Sequence, residues 1–132
     1  MKITADTNVL VRAVTEDHAY QSISAQTALK KAELVAIPIP VLCELVWVLS
    51  QGYRIPSAEI AEAIRRLVNG ANVAVNRRAA EAGLALLDAG GDFADGVIAY
   101  EGNWLGADTF VSFDKRAVKL MQAQGAVAQV LT

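Results

Sequence analysis

Four carboxylates stand where a small α/β protein could use them for chemistry. Asp6 ends the β-branched run Lys2-Ile3-Thr4-Ala5, and Asp114 ends Thr109-Phe110-Val111-Ser112-Phe113. Open parallel sheets place their sites beyond the carboxyl ends of strands, so both acids fall at the edge where sites form. Glu44 is the only charge between Glu33 and Arg54, inside the apolar run Val41 to Leu49, and is expected to be buried. Asp95 follows Gly90-Gly91 within Asp92-Phe93-Ala94-Asp95. If the four converge they need a cation, since two like charges 4 Å apart repel by about 4 kcal/mol at an effective dielectric of about 20. Oxygen-only donors select a hard ion, Mg²⁺ or Mn²⁺. With one His and one Cys, the chain has no cluster for zinc. The matching reaction is metal-assisted hydrolysis of a phosphodiester.

Each acid also has a structural reading. Asp6, Asp92 and Asp114 suit helix N-caps, and Asp95 suits a first helical turn, where the helix dipole favours negative charge. A buried Glu44 would need a partner, and Arg12 is the structural candidate. His18 lies in the polar stretch Glu16-Asp17-His18 and is expected to face solvent, and Cys43 reads as a small apolar residue.

The elements that must position these residues alternate along the chain. Strands are expected at residues 2–6, 34–37, 72–75, 109–113 and 127–131. Helices are expected at 8–15, 21–34, 41–51 closed by Gly52, from Ser57 as N-cap to Asn69-Gly70, 77–89, 92–105 and 115–124. Tyr100 and Trp104, four residues apart, are expected to pack together. Strands alternating with helices imply parallel pairing with right-handed crossovers. The expected fold is α/β, a three-layer α/β/α sandwich around a short, mainly parallel five-stranded sheet, in a single domain over residues 1–132.

Composition narrows the class. Of 132 residues, 54% are hydrophobic and 20% charged, which excludes a disordered chain. A lone Cys43 excludes a disulfide scaffold and suits a reducing compartment. The most apolar stretch, 34–49, is interrupted by Pro38, Pro40 and Glu44, so no membrane span is expected. Asp6 stands where a secretory signal would keep an apolar run, so a cytoplasmic location is expected.

The net charge of −2 does not advertise nucleic-acid binding, but setting aside the four acids turns it to +2. Basic residues come in pairs: Lys30-Lys31, Arg65-Arg66, Arg77-Arg78 and Lys115-Arg116, with Lys119 nearby. The first three pairs read as solvated helix faces. Lys115 and Arg116 follow Asp114 directly, and Arg12 lies one helical segment after Asp6, so all three are candidates for phosphate contact.

Asp6-Thr7-Asn8-Val9-Leu10-Val11-Arg12, Pro40-Val41-Leu42-Cys43-Glu44-Leu45, Asp92-Phe93-Ala94-Asp95-Gly96-Val97-Ile98-Ala99 and Ser112-Phe113-Asp114-Lys115 together resemble the four motifs of PIN-domain ribonucleases. More narrowly they resemble the VapC toxins of bacterial toxin–antitoxin pairs. The resemblance implies Asp6, Glu44, Asp95 and Asp114 as the catalytic and metal-holding acids, with Asn8 and Ser112 as polar helpers. Members often carry Thr where this chain has Ser112, and the hydroxyl is retained. The resemblance further implies an RNA substrate, often transfer or ribosomal RNA, a homodimer, and neutralisation by a cognate antitoxin.

Two other readings compete. A catalytically silent PIN-like module would bind protein or RNA without turnover; the presence of all four acids speaks against it. A phosphorylation-dependent receiver domain is also a small α/β sandwich, but receivers carry adjacent acids after the first strand, where this chain has Thr7-Asn8.

Overall fold

The first strand, β1 (Lys2–Thr4), stops where Asp6 folds its carboxylate onto the next turn. Asp6 Oδ1 accepts from the Thr7 amide at 2.8 Å, and α1 (Thr7–Thr15) starts there. This is a computed structural model, and it describes residues 1–132. The chain continues through α2 (Ala19–Lys31), β2 (Leu34–Ala36) and α3 (Ile39–Trp47). A π-helical turn (Val48–Gly52), α4 (Ser57–Val68) and β3 (Val73–Ala74) follow. Beyond them lie α5 (Arg77–Asp88), α6 (Phe93–Trp104), β4 (Phe110–Ser112), α7 (Lys115–Ala123) and β5 (Ala128–Val130). The order of strands and helices is the one the sequence implies.

The residues form two compact units, Met1–Asn76 and Arg77–Thr132. In the first, β1, β2 and β3 make a parallel sheet in that order, with Ile3 beside Val35 and Val35 beside Val73. In the second, β4 and β5 pair in parallel, with Phe110 beside Ala128 and Ser112 beside Val130. The expected α/β class with parallel strands holds, and the hydrogen bonds group the five strands as a sheet of three and a sheet of two.

The first unit is built on side chains withdrawn fully from water: Leu10, Val35, Ile37, Leu42, Leu45, Leu49, Ile60 and Ile64. Each such burial is worth about 1.5–3 kcal/mol. Asn72 ties β3 to the end of α2 by donating to the Leu29 and Ala32 carbonyls, both at 2.9 Å. Those carbonyls would otherwise be orphans of the helix end. At α4 the expected Ser57 cap is displaced by one residue. Pro56 occupies the N-cap position without a side-chain bond, and Ser57 is the first helical residue.

In the second unit α5 and α6 approach closely. A Cβ at Gly83 would fall 2.7 Å from the Phe93 ring, and one at Gly96 would collide with the Ala82 carbonyl. Phe93 is fully buried there. Gly90, at φ 92°, ends α5 in the left-handed conformation that glycine adopts without strain. Trp104, expected to pack on Tyr100, stands 81% exposed, so little of its ring is covered. No helix is long and apolar enough to cross a membrane.

Candidate functional site

Glu44 departs most from expectation. It is exposed, not buried. The helix carrying it buries Ile39, Leu42, Leu45 and Val46, and the stripe continues to Leu49. Spacings of three and four put Pro40, Glu44, Trp47 and Gln51 on the opposite, exposed side. Glu44 makes no ion pair with Arg12. Its Oε1 accepts from the Thr7 hydroxyl at 3.0 Å, joining α3 to the first turn of α1.

That bond lies at a cavity of about 400 Å³ lined by Asp6, Thr7, Asn8, Arg12 and Glu44, with Val11, Val48 and Tyr53. The structure therefore brings together Asp6 and Glu44 with two of the predicted helpers, Asn8 and Arg12. A neighbouring cavity of about 530 Å³ shares Asn8 and Arg12, contains no acid, and runs along Tyr20, Gln21 and Ser24 of α2.

Arg12 faces a third carboxylate. Its Nη1 bonds Asp17 Oδ1 at 3.0 Å. Asp17 also accepts from the Thr15 hydroxyl at 2.8 Å and, on Oδ2, from the Tyr53 hydroxyl at 2.7 Å. These bonds, that from Tyr53 foremost, lower the Asp17 carboxyl to about 2. Glu16, left-handed at φ 56°, turns the chain so that Asp17 faces back along α1. Gln26 of α2 pins the turn through Ala13 O at 3.0 Å and Glu16 Oε1 at 3.1 Å. His18 is exposed, as expected, and caps α2 by accepting the Gln21 amide at 3.1 Å.

In the second unit the acids start helices. Asp92 caps α6 and Asp114 caps α7, the latter accepting from the Ala117 amide at 3.0 Å. Ser112 accepts from the Asp114 amide at 3.0 Å and so fixes the residue between strand and helix. Asp95, in the first turn of α6, has its carboxyl raised above the ordinary value, first by burial and then by repulsion from Asp92 and Asp114. Asp95 and Asp114 are thus electrostatic neighbours without a compensating cation. Arg116 donates to the Gly90 carbonyl at 2.8 Å, a tie between α7 and the end of α5, while Lys115 is exposed.

Within either unit, no three His, Cys, Asp or Glu side chains gather into a ready metal group. The donors still fit a hard divalent ion, because Mg²⁺ is commonly held by one or two carboxylates with water and substrate phosphate filling the rest. Asp6 and Glu44 offer such a pair in one cavity, and the nearby cation, Arg12, is engaged by Asp17. Thr7, Asp17 and Tyr53 were not marked by the sequence reading. Thr7 lies inside the first motif, beside Asp6, which is the signal that could have found it.

Residues 3–121 match the family model of the PIN domain, a span that includes Asp6, Glu44, Asp95 and Asp114. No curated protein matches the chain.

Proposed function

The chain belongs to the PIN domain family, a nuclease fold whose members generally use divalent metal ions, and from that premise we propose that it is a metal-dependent endoribonuclease, the toxin of a toxin–antitoxin pair acting in the cytoplasm. The observation that carries this reading is the Asp6–Glu44 cavity, where two carboxylates share one space with Asn8 and Arg12. Asp6 and Glu44, with Asp95 and Asp114 as further donors, would hold Mg²⁺ or Mn²⁺, which when bound polarises the scissile phosphate and neutralises its charge.

The chain's own residues do the rest. Thr7 fixes the rotamer of Glu44 through its hydroxyl. Arg12 keeps N–H donors beyond the one given to Asp17 and can contact a phosphate from the cavity wall. Asn8, shared by both cavities, offers an amide to the ribose or base. Tyr20, 78% exposed in the acid-free cavity, presents a ring on which a base of single-stranded RNA can stack. Ser112 steadies Asp114. Regulation by a cognate antitoxin and assembly as a homodimer complete the proposal, with transfer or ribosomal RNA as the substrate class.

The test is a map of new RNA 5′ ends in cells after induction of the protein, beside Asp6→Asn. New ends confined to the unaltered protein would support an endoribonuclease and name its target. Identical maps, with no Mn²⁺ binding in calorimetry, would overturn the reading.

A further inference from the structure

An arginine beside two exposed carboxylates should pair with one of them, and here it does not. Arg12 lines the cavity with Asp6 and Glu44, yet its ion pair is with Asp17. Three observations explain the preference. Asp17 receives three donors, from Arg12, Thr15 and Tyr53, so its charge is better solvated by the protein than that of either cavity acid. The left-handed Glu16 and the two Gln26 bonds hold the Asp17 turn in place. Tyr53 reaches it from the far end of the π-helical turn, a local widening that in other helices often marks a functional position.

We propose that Asp17, buttressed by Tyr53 and Thr15, is a positioning residue that holds Arg12 away from Asp6 and Glu44, so that the two acids keep their charge for a divalent cation and the guanidinium keeps its free donors for a phosphate. The idea rests on the metal-dependent reading above. It assigns Asp17 no contact with substrate or metal. Asp17 acts by competing for Arg12: remove its charge and the guanidinium turns to the nearest carboxylate, Glu44 or Asp6, and neutralises it.

The test uses the full chain in four forms: unaltered, Asp17→Asn, Arg12→Gln, and the double variant. Mn²⁺ binding is measured by calorimetry, and the metal-free Asp17→Asn protein is crystallised. Asp17→Asn should weaken Mn²⁺ binding by about ten- to a hundred-fold, the scale of outer-shell effects on metal sites. Arg12→Gln alone should bind Mn²⁺ at least as well as the unaltered chain. The double variant should regain the affinity of Arg12→Gln, a rescue that simple structural damage would not give. The crystal structure should show the Arg12 guanidinium bonded to Glu44 or Asp6. Unchanged affinity in Asp17→Asn, or a double variant as weak as Asp17→Asn, would overturn the inference. If the unaltered chain binds no Mn²⁺, the metal-dependent reading fails, and the Arg12 position in the Asp17→Asn crystal still decides this one: an arginine left in place sinks it.

Discussion

The Thr7 hydroxyl donates to Glu44 Oε1 at 3.0 Å, linking residues 37 apart in the chain at the mouth of one cavity. Thr7 follows Asp6, the cap of α1, so a single turn of helix sets both the first acid and the donor that orients the second. The bond is exposed, and its net worth to folding is small, on the order of 1 kcal/mol or less. Its value lies in holding a flexible glutamate. Thr7→Val keeps the shape and removes the donor. It should lower metal affinity and RNA cleavage severalfold while leaving the melting temperature nearly unchanged, as calorimetry and thermal unfolding would show.

Asp6 performs two tasks that chemistry can separate. As N-cap it accepts the Thr7 amide at 2.8 Å, a role that asparagine fills about as well, whereas alanine costs about 0.5–2 kcal/mol. As a cavity acid it must be charged. Asp6→Asn should therefore abolish cleavage with stability retained, and Asp6→Ala should lose both. Equal destabilisation by the two substitutions in urea titrations would mean that the charge itself holds the fold.

Two carboxylates should make the metal-free protein respond to pH in opposite senses. Burial and the charges of Asp92 and Asp114 raise the Asp95 carboxyl. The stability tied to its protonated form is present below the ordinary carboxylate range and is lost as pH rises through the raised value. Asp17 is lowered from 3.8 to about 2, so its contribution is present above 3.8 and is lost as pH falls toward 2. Denaturation of chelator-treated protein should show Asp95→Asn gaining relative stability between pH 4 and pH 7 (about the carboxylate range and above it). Asp17→Asn should flatten the acid limb instead. Parallel curves for all three proteins would contradict both assignments.

The α5–α6 junction offers a purely steric prediction. Gly96 follows Asp95, and any Cβ there meets the Ala82 carbonyl. Backbone cannot give way as a side chain can, so Gly96→Ala should cost about 1–3 kcal/mol, the usual range for an overpacked site. It should also shift Asp95, with a loss of activity beyond the stability change. A Gly96→Ala protein as stable as the original, by denaturant midpoint, would show that the helices can separate freely.

Much of the architecture was legible because it is local. β-branched runs, N-cap aspartates and the glycines after α3, α5 and α7 delimit the elements, and the order of strands and helices follows from them. Asp92 and Asp114 as caps were readable for the same reason. Glu44 misled because the stretch around it is apolar on nearly every side. Composition counts Trp47 as core, whereas the stripe of Ile39, Leu42, Leu45 and Leu49 leaves Trp47 66% exposed beside Glu44's side of the helix. Arg12 was readable as a cation near Asp6 but not as the partner of Asp17, since Tyr53, which makes that pairing strong, lies 36 residues further on. Ser57 lost the cap to Pro56, whose fixed φ of −59° already supplies the entry into α4. Meetings across the fold leave little trace in a single chain read by spacing alone.

The π-helical turn at Val48–Gly52 carries a consequence for how the chain tolerates change in length. Such a turn holds one residue more than an α-helical turn would need. Deleting Ser50 would let the segment close into ordinary helix, and everything after it would swing by about 100° around the axis, the angle between successive residues. Tyr53 would then leave Asp17. A single lost codon in this short stretch would thus do to the Arg12 pairing what a substitution at Tyr53 does. The buried stripe upstream of it, from Ile39 to Val46, would stay in place.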